Sequence, residues 1–349
     1  MAGGLRKSMV TGFDAIVGQD HAVSLLVRML ERDRLPHALL FSGVDGVGKQ
    51  TTARVLATVM NCRNSDRTSA CMVCPSCKQS MSGNHPDVIT IEPRGRFIKL
   101  DQMRSLQKQI RFAPLAGAHR VVIINEAQEM NMEAANAILK LLEEPPKNTY
   151  IVMTCRQVSD LVPTIVSRCQ QVAFTPLPVA AIAAELVKRR QLDQDTAMAV
   201  ASLAKGSIGN ALSCNVEKWL AWRKACLDEI ASLPRKSMYK TLVVAEGLTK
   251  PKDKVQDVLD LVLMWFRDIL MYKLQPSNVI NTDRMTTIVD RSANFSIEHL
   301  LAIISAVFRV QRAIEQNANP RLAFEVLLIC HVGLAGLRRE AGRAVAGGA

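Results

Sequence analysis

The first half of the chain alternates short apolar segments with segments whose apolar residues recur at helical spacing. The apolar segments contain the runs HALLFSG, HPDVITIEP, HRVVIINEA, TYIVMTC and QQVAFTPL. Strands that alternate with helices in this way form a parallel sheet that helices cover on both faces. The sequence therefore predicts an α/β domain over residues 1–176.

After residue 176 the strand pattern ends and only helical periodicity remains. The runs VAAIAAELVKRRQ and DQDTAMAVASLAKGS predict a small helical domain over residues 177–217. Longer helical runs follow, such as KVQDVLDLVLMWFRDILMYKL, and they predict a helical bundle over residues 218–349. The chain is thus expected to contain three domains.

The charge balance favours a polyanionic partner. The 349 residues include 44 basic and 32 acidic side chains, which gives a net charge of +12, and such an excess is typical of nucleic-acid-binding proteins. A solvated basic surface is the alternative. Aromatic residues make up only 4%, which argues against a stacking platform for single strands. The sequence has neither a membrane-length apolar run nor a secretory signal, so we expect a cytoplasmic protein.

A glycine-rich loop, GVDGVGKQTT, follows the first predicted strand and precedes a helix. It matches the phosphate-binding pattern G-x-x-x-x-G-K-[ST] at Gly43, Gly48 and Lys49, but Gln50 replaces the hydroxyl that would hold Mg²⁺. Thr51 does not restore that hydroxyl, because one helical step turns a side chain by about 100°. The loop predicts phosphate binding with impaired placement of Mg²⁺.

The second half of an ATPase site is expected at the end of an apolar strand, where an aspartate supports Mg²⁺ and a glutamate polarises water. The stretch VVIINEAQ offers Asn125 and Glu126 there. Since Asn125 lacks the charge of aspartate, two changes affect the same ion, and hydrolysis is expected to be weak or absent. The candidate nucleotide-site residues are Gly43, Gly46, Gly48, Lys49, Gln50, Thr51, Asn125, Glu126 and Thr154.

Four of the nine cysteines cluster at Cys62, Cys71, Cys74 and Cys77. Four thiolates at such short spacing suit tetrahedral Zn²⁺ without an open coordination position. In a cytosolic chain this clustering favours metal over disulfides. The sequence therefore predicts a structural zinc site.

Two groups of basic residues have weaker implications. The run DQMRSLQKQIRFAP predicts a helix with Asp101 as its cap and with an apolar face formed by Met103, Leu106 and Ile110. Arg104, Lys108 and Arg111 share the opposite face, where a solvated surface is a better explanation than contact with a DNA backbone. Arg168 lies in the stretch VSRCQQ, between a loop and a strand. Taken alone, an arginine at such a place predicts only an exposed ion pair.

In order and spacing, these pieces resemble the clamp loader branch of the AAA+ ATPases. The matching stretches are IVGQD, LPHALLFSGVDGVGK, the cysteine cluster, HPD, AANAILKLLEEPP, SRC and NANPRLAFEVLL, which span most of the chain. The resemblance implies an α/β P-loop NTPase (AAA+) domain, a small helical lid domain and a C-terminal all-α collar domain. It also implies work in DNA replication, as part of the DNA polymerase III holoenzyme.

Within this family, three departures favour the delta prime type of subunit over the ATP-hydrolysing gamma/tau type. Two are Gln50 and Asn125, and the third is Gly209, which replaces the sensor arginine of motor subunits. The resemblance implies that Arg168 completes a neighbour's ATPase site in trans and that Thr154 is a vestigial polar sensor. The implied partners are gamma/tau and delta subunits, the sliding clamp and primed DNA. It leaves open whether ATP or ADP is bound without turnover.

Two alternatives remain. The chain would be an active gamma/tau-type motor if Lys49 and Glu126 sufficed with a water-bridged metal ion. It would be a zinc-stabilised nucleic-acid binder if the glycine loop served only the architecture. The stretches LLEEPP and SRC weigh against the second alternative, and Gly209 weighs against the first. We therefore expect no catalytic activity from this chain on its own.

Overall fold

The computed structural model describes residues 12–232, 238–250 and 254–329. All five predicted strands are present. They are β1 (Ala38–Ser42), β2 (Val88–Ile91), β3 (Arg120–Ile124), β4 (Thr149–Cys155) and β5 (Gln170–Ala173). The α-helices of the described residues are α1 (Asp20–Glu31), α2 (Lys49–Asn61), α3 (Pro75–Ser82), α4 (Leu100–Gln109), α5 (Met132–Glu143), α6 (Pro163–Val166), α7 (Val179–Arg190), α8 (Gln194–Leu203), α9 (Ile208–Ser213), α10 (Val216–Ser232), α11 (Met238–Thr249), α12 (Val255–Leu274), α13 (Met285–Ser292), α14 (Ile297–Glu315) and α15 (Pro320–Leu327).

The five strands form one parallel sheet in the order β2-β3-β4-β1-β5. In β1, Leu40 is opposite Met153 of β4 on one side and Gln171 of β5 on the other. The predicted parallel α/β sheet is therefore confirmed. Since β1 lies between β4 and β5, the loop that follows it begins at an inner position along the carboxyl edge of the sheet.

Helices cover both faces of the sheet, as predicted. Successive residues of a strand point to opposite faces, so Leu39 and Phe41 pack in one core with α1 and α2, while Ala38 and Leu40 pack in the other with α4 and α5. Every residue of β3 is buried. This accounts for the uninterrupted apolar run of that strand.

By compactness, the described residues divide into two units. The first contains residues 12–182 and 204–212 and includes the sheet; the second contains residues 183–203 and the described residues from 213 onward. The boundaries predicted at residues 176 and 217, and with them the separate lid domain, stay a prediction.

The second unit is entirely helical in its described residues, as expected for this region. Helix α12 lies at its centre and buries Trp265, Phe266 and Ile269 in a core to which α10, α11, α13 and α14 contribute. The carboxylate of the fully buried Asp268 accepts two hydrogen bonds from Asn281, each 2.7 Å long. No helix among the described residues is both long and apolar enough to cross a membrane.

A buried ion pair fastens the loop before β3 to the sheet. Arg120 Nη2 lies 3.2 Å from Asp87 Oδ1, and both side chains are almost completely buried. The Asp87 carboxylate also accepts backbone N–H groups of Leu115, Ala116 and Gly117, each at 2.8 Å. Burial alone would raise the pKa of Asp87, but these donors and Arg120 hold that pKa below its usual value.

Helix α4 begins two residues before the position that its sequence suggests. Asp101 looked like the cap, but the N-cap is Lys99, and Asp101 lies in the first helical turn. The Gln102 side chain accepts the Lys99 N–H at 3.1 Å and so closes this end of the helix. The predicted apolar face of Met103, Leu106 and Ile110 is buried.

We expect Asp87→Asn to lower the free energy of unfolding by about 3–5 kcal/mol, because it leaves the buried Arg120 charge without its partner. Urea unfolding followed by circular dichroism at pH 7 measures this. Asp101→Asn is the matched control, since its exposed carboxylate lies 3.8 Å from Arg94, and it should cost less than about 1 kcal/mol. Equal effects of the two substitutions would contradict the role of the buried pair.

Candidate functional site

The glycine loop has the strand–loop–helix geometry of a phosphate-binding loop. It connects β1 to α2, and Gly48 forms the N-cap of α2 with φ = +115°. That conformation is accessible to glycine and strained for other residues. The loop therefore meets the N-terminal end of a helix, where backbone N–H groups and the helix dipole favour an anion.

Lys49, however, is turned into its own loop. Its Nζ donates to the carbonyl oxygen of Gly43 and to that of Val44, the second at 2.9 Å, and its side chain is only 8% exposed. Burial lowers the pKa of Lys49, and Asp45, 3.9 Å away, opposes this shift. The ammonium group that would meet a phosphate is thus already bonded to carbonyls of the loop.

Three side chains form a bridge where a P-loop enzyme would hold its metal ion. Gln50 Nε2 donates to Glu92 Oε1 at 2.9 Å, and Asn125 Nδ2 donates to the same oxygen at 3.1 Å. Among the described residues, the buried Asn125 Oδ1 has no hydrogen-bond partner. Two neutral amides donate to one carboxylate here, and the set lacks the hydroxyl and aspartate ligands of Mg²⁺.

The remaining predicted nucleotide-site residues lie near the carboxyl ends of β3 and β4 or on α2. Glu126 has φ = +53°, and its backbone N–H donates to Thr154 Oγ1 at 3.1 Å. Glu126 and Thr51 are both exposed. Arg156, directly after β4, pairs with Asp45 of the glycine loop at 3.2 Å.

Gly209 closes over the glycine loop within the first unit. Its N–H donates to the carbonyl oxygen of Gly46 at 2.8 Å. A Cβ atom at position 209 would lie 2.9 Å from Gly46 Cα and 3.0 Å from its oxygen. Gly209 therefore packs backbone to backbone on the loop, with no space for a side chain.

The four clustered cysteines come together as predicted. The sulfur atoms of Cys62, Cys71, Cys74 and Cys77 all lie within 4.8 Å of one another. Burial opposes ionisation of Cys74, but N–H donors from Cys77 and Arg63 and the neighbouring thiols lower its pKa to about 6. Such thiolate character and spacing fit a tetrahedral metal site. The cluster could hold a metal ion; its identity as zinc stays a prediction.

Arg168 follows the short helix α6 and has a half-exposed side chain. Its Nε and Nη2 donate to Glu143 Oε1 at 2.9 and 2.6 Å, and its Nη1 donates to the carbonyl oxygen of Thr164 at 3.0 Å. The ion pair expected for an isolated arginine is therefore present. Of the predicted basic face, Arg104 and Lys108 are exposed on α4, whereas Arg111, also exposed, lies beyond the end of that helix.

Sequence reasoning missed Glu92, Arg156 and Glu143. A signal existed for the first two, because each directly follows a strand of a parallel sheet, whose carboxyl edge collects ligand-binding residues. Glu143 had no comparable signal. Its place in the site is apparent only from its contact with Arg168, which is 25 residues away in sequence.

Two family models match the sequence. The family described as "DNA polymerase III, delta subunit" matches residues 18–178, and the family described as "DNA polymerase III, delta subunit, C terminal" matches residues 217–331. The first match contains the glycine loop, the cysteine cluster and Arg168. The second falls in the helical part of the chain.

Curated relatives give a consistent result. The chain is 30% identical to the DNA polymerase III subunit delta' of Bacillus subtilis (strain 168), over 89% of this chain and 95% of that protein. It is 34% identical to the delta' subunit of Pseudomonas aeruginosa, over 68% of this chain and 73% of that protein. It is also 29% identical to the tau subunit of Bacillus subtilis over 91% of this chain, but it spans only 61% of that relative's length.

If the cysteine cluster is a structural zinc site, the purified protein should contain about one zinc ion per chain. We expect Cys74→Ser to lose the metal and to lower the urea midpoint, because three thiolates leave one position open. Atomic absorption measures the metal content. Cys214→Ser, outside the cluster, is the control and should keep the ion; retention of zinc by Cys74→Ser would contradict the assignment.

The contact between Gly209 and Gly46 predicts a specific sensitivity to a methyl group. Gly209→Ala should lower the free energy of unfolding by about 1–3 kcal/mol, the usual cost of overpacking. A Cβ at Gly247 in α11 would meet no atom within 4 Å. Gly247→Ala therefore serves as the control in the same urea titration and should be neutral or slightly stabilising, by up to about 1 kcal/mol. A neutral Gly209→Ala would mean that the loop is not closed in solution.

Proposed function

The chain belongs to the family of the delta' subunits of DNA polymerase III, and on this premise we propose that it is a clamp loader subunit that hydrolyses no ATP itself. In this proposal it supplies Arg168 in trans to the ATPase site of a neighbouring gamma/tau-type subunit. The observation that carries the proposal is the bridge in which Gln50 and Asn125 both bond to Glu92. It occupies the place where a working site of this fold would bind Mg²⁺.

Two further features support the absence of hydrolysis. Phosphoryl transfer in P-loop enzymes depends on a metal ion that neutralises charge between the β- and γ-phosphates and on a lysine that reaches the same oxygens. Here Lys49 donates to two carbonyl oxygens of its own loop, and the Gly209 N–H donates to the carbonyl oxygen of Gly46. A nucleotide would have to displace both contacts before its phosphates could enter.

The surroundings of Arg168 support a role toward a second subunit. The side chain is 36% exposed, and the chain holds it at the end of α6, clear of the glycine loop's own hydrogen bonds. An arginine placed against a neighbour's γ-phosphate neutralises charge that develops in the transition state, an effect of roughly 10³–10⁵ in rate. This chain would then complete an active site that it does not itself contain.

The same function implies the remaining partners and cofactors. We propose gamma/tau and delta subunits, the sliding clamp and primed DNA as partners, with the basic excess of +12 supporting proximity to DNA. Zn²⁺ held by the cysteine cluster would have a structural role. ATP or ADP bound without turnover and a cytoplasmic location are further parts of the proposal.

A gamma/tau-type motor is the second candidate. It is favoured by the retained Lys49 and Glu126 and by the match to a tau subunit over 91% of this chain. The bridge to Glu92 is the feature against it.

In a reconstituted clamp loader, Arg168→Ala in this chain should lower ATP turnover at the adjacent site by roughly 10³–10⁵-fold. Turnover of the whole complex should fall by the share that this site contributes. The measurement is steady-state phosphate release in the presence of clamp and primed DNA, with assembly checked by gel filtration. Arg32→Ala, which removes an exposed arginine at the end of α1, is the control and should leave turnover unchanged.

Lys49→Met separates the two candidates. A subunit that hydrolyses nothing should tolerate the change with turnover of the complex unaltered, whereas a motor would lose its own contribution. Unchanged turnover in Arg168→Ala together with a loss in Lys49→Met would favour the motor.

A further inference from the structure

Arg168 presents two hydrogen-bonding edges, and both are occupied within this chain. On the edge formed by Nε and Nη2, the two nitrogens donate to the single oxygen Oε1 of Glu143, at 2.9 and 2.6 Å. On the other side, Nη1 donates to the carbonyl oxygen of Thr164 at 3.0 Å and to Ser167 Oγ at 3.3 Å. Glu143 is the last residue of α5, so the end of one helix holds the arginine that follows another.

The edge held by Glu143 is of the kind a phosphate would use. Guanidinium groups bind carboxylate and phosphate oxygens through the same fork of parallel N–H donors. The contacts of Nη1, in contrast, are with residues of the segment that carries Arg168 itself. Glu143 is therefore the contact that a γ-phosphate oxygen would have to displace to gain two bonds.

We propose that Glu143 is a positioning residue that holds Arg168 away from the neighbouring ATPase site until the γ-phosphate there comes within reach, and that the phosphate then displaces it. The inference rests on the proposed trans role of Arg168 and adds its regulation. Glu143 competes with the phosphate for one edge of the guanidinium group. It thereby lowers the fraction of neighbouring sites that are complete before clamp and DNA bring the subunits together.

The exposure of the pair sets the size of this effect. The Glu143 side chain is 51% exposed and that of Arg168 is 36% exposed. Exposed ion pairs shift an equilibrium by at most about fivefold. When a competing conformation reduces the competent fraction, activity falls by that same fraction. The contact should thus reduce turnover by a few fold and should yield readily to a phosphate, which carries more charge than a carboxylate.

The neighbouring residue provides a matched control. Glu144 belongs to the same LLEEPP stretch and is exposed, and in the described part of the chain it pairs with no basic side chain. Glu144→Gln makes the same chemical change as Glu143→Gln, one residue away, without touching Arg168. A general effect of charge on assembly would appear in both variants.

The experiment compares steady-state ATP turnover of the reconstituted loader, without clamp or DNA, across a range of ATP concentrations. The chain is wild type, Glu143→Gln, Glu144→Gln, Arg168→Ala or the double variant with Glu143→Gln and Arg168→Ala. We expect Glu143→Gln to raise kcat by about two- to fivefold with KM unchanged, because the arginine acts on the transition state. Glu144→Gln should match wild type. In the Arg168→Ala background, the change at Glu143 should have no effect.

The outcomes distinguish this inference from the function on which it rests. If Arg168→Ala leaves turnover unchanged, the proposed function fails, and the inference fails with it. If Arg168→Ala lowers turnover but Glu143→Gln equals wild type or lowers kcat, the trans arginine stands and the competing role of Glu143 is overturned. A rise in kcat that persists in the double variant would also overturn it, because Glu143 would then act through another group.

Discussion

Parallel pairing of β1 between β4 and β5 is the constraint on which the other features of the first unit depend. All strands of a parallel sheet end at one edge, so residues far apart in sequence meet there. The glycine loop follows β1, Glu92 follows β2, Asn125 follows β3 and Arg156 follows β4. The hydrogen bonds and ion pairs among these residues are possible only because the strands share that edge.

At this edge Glu92 and Lys49 have hydrogen-bond partners within the chain itself. If an aspartate stood at position 125 and a hydroxyl at position 50, the aspartate and Glu92 would repel each other and would favour a bound cation between them. Because Asn125 and Gln50 occupy these positions instead, Glu92 is the one carboxylate of the bridge, and it accepts a hydrogen bond from each of the two side-chain amides. Lys49 Nζ likewise donates to carbonyl oxygens of its own loop.

The sequence allowed prediction of the sheet, because β1 to β4 are mainly apolar runs separated by helical segments, and burial of β3 on both faces gives an uninterrupted apolar pattern. It also allowed prediction of the cysteine cluster, whose members are close in sequence. It could not reveal that Lys49 folds back or that Glu143 meets Arg168, because the partner of a flexible charged side chain depends on packing between distant segments. The start of α4 was misjudged for a local reason: Asp101 favours a first turn as well as a cap.

The backbone under Arg168 is held more firmly than its side chain. Ile165 is fully buried in the core beneath α5, and its carbonyl oxygen accepts the Arg168 N–H at 3.1 Å. The guanidinium group, in contrast, depends on exposed contacts that exchange at little cost. An arginine that must bind a group on another subunit benefits from this combination. A fixed backbone limits the entropy lost on binding, while a weakly held guanidinium group can change partners. Under the proposed function, the bridge from Gln50 and Asn125 to Glu92 has a further consequence: the presentation of Arg168 would not depend on a nucleotide bound to this chain.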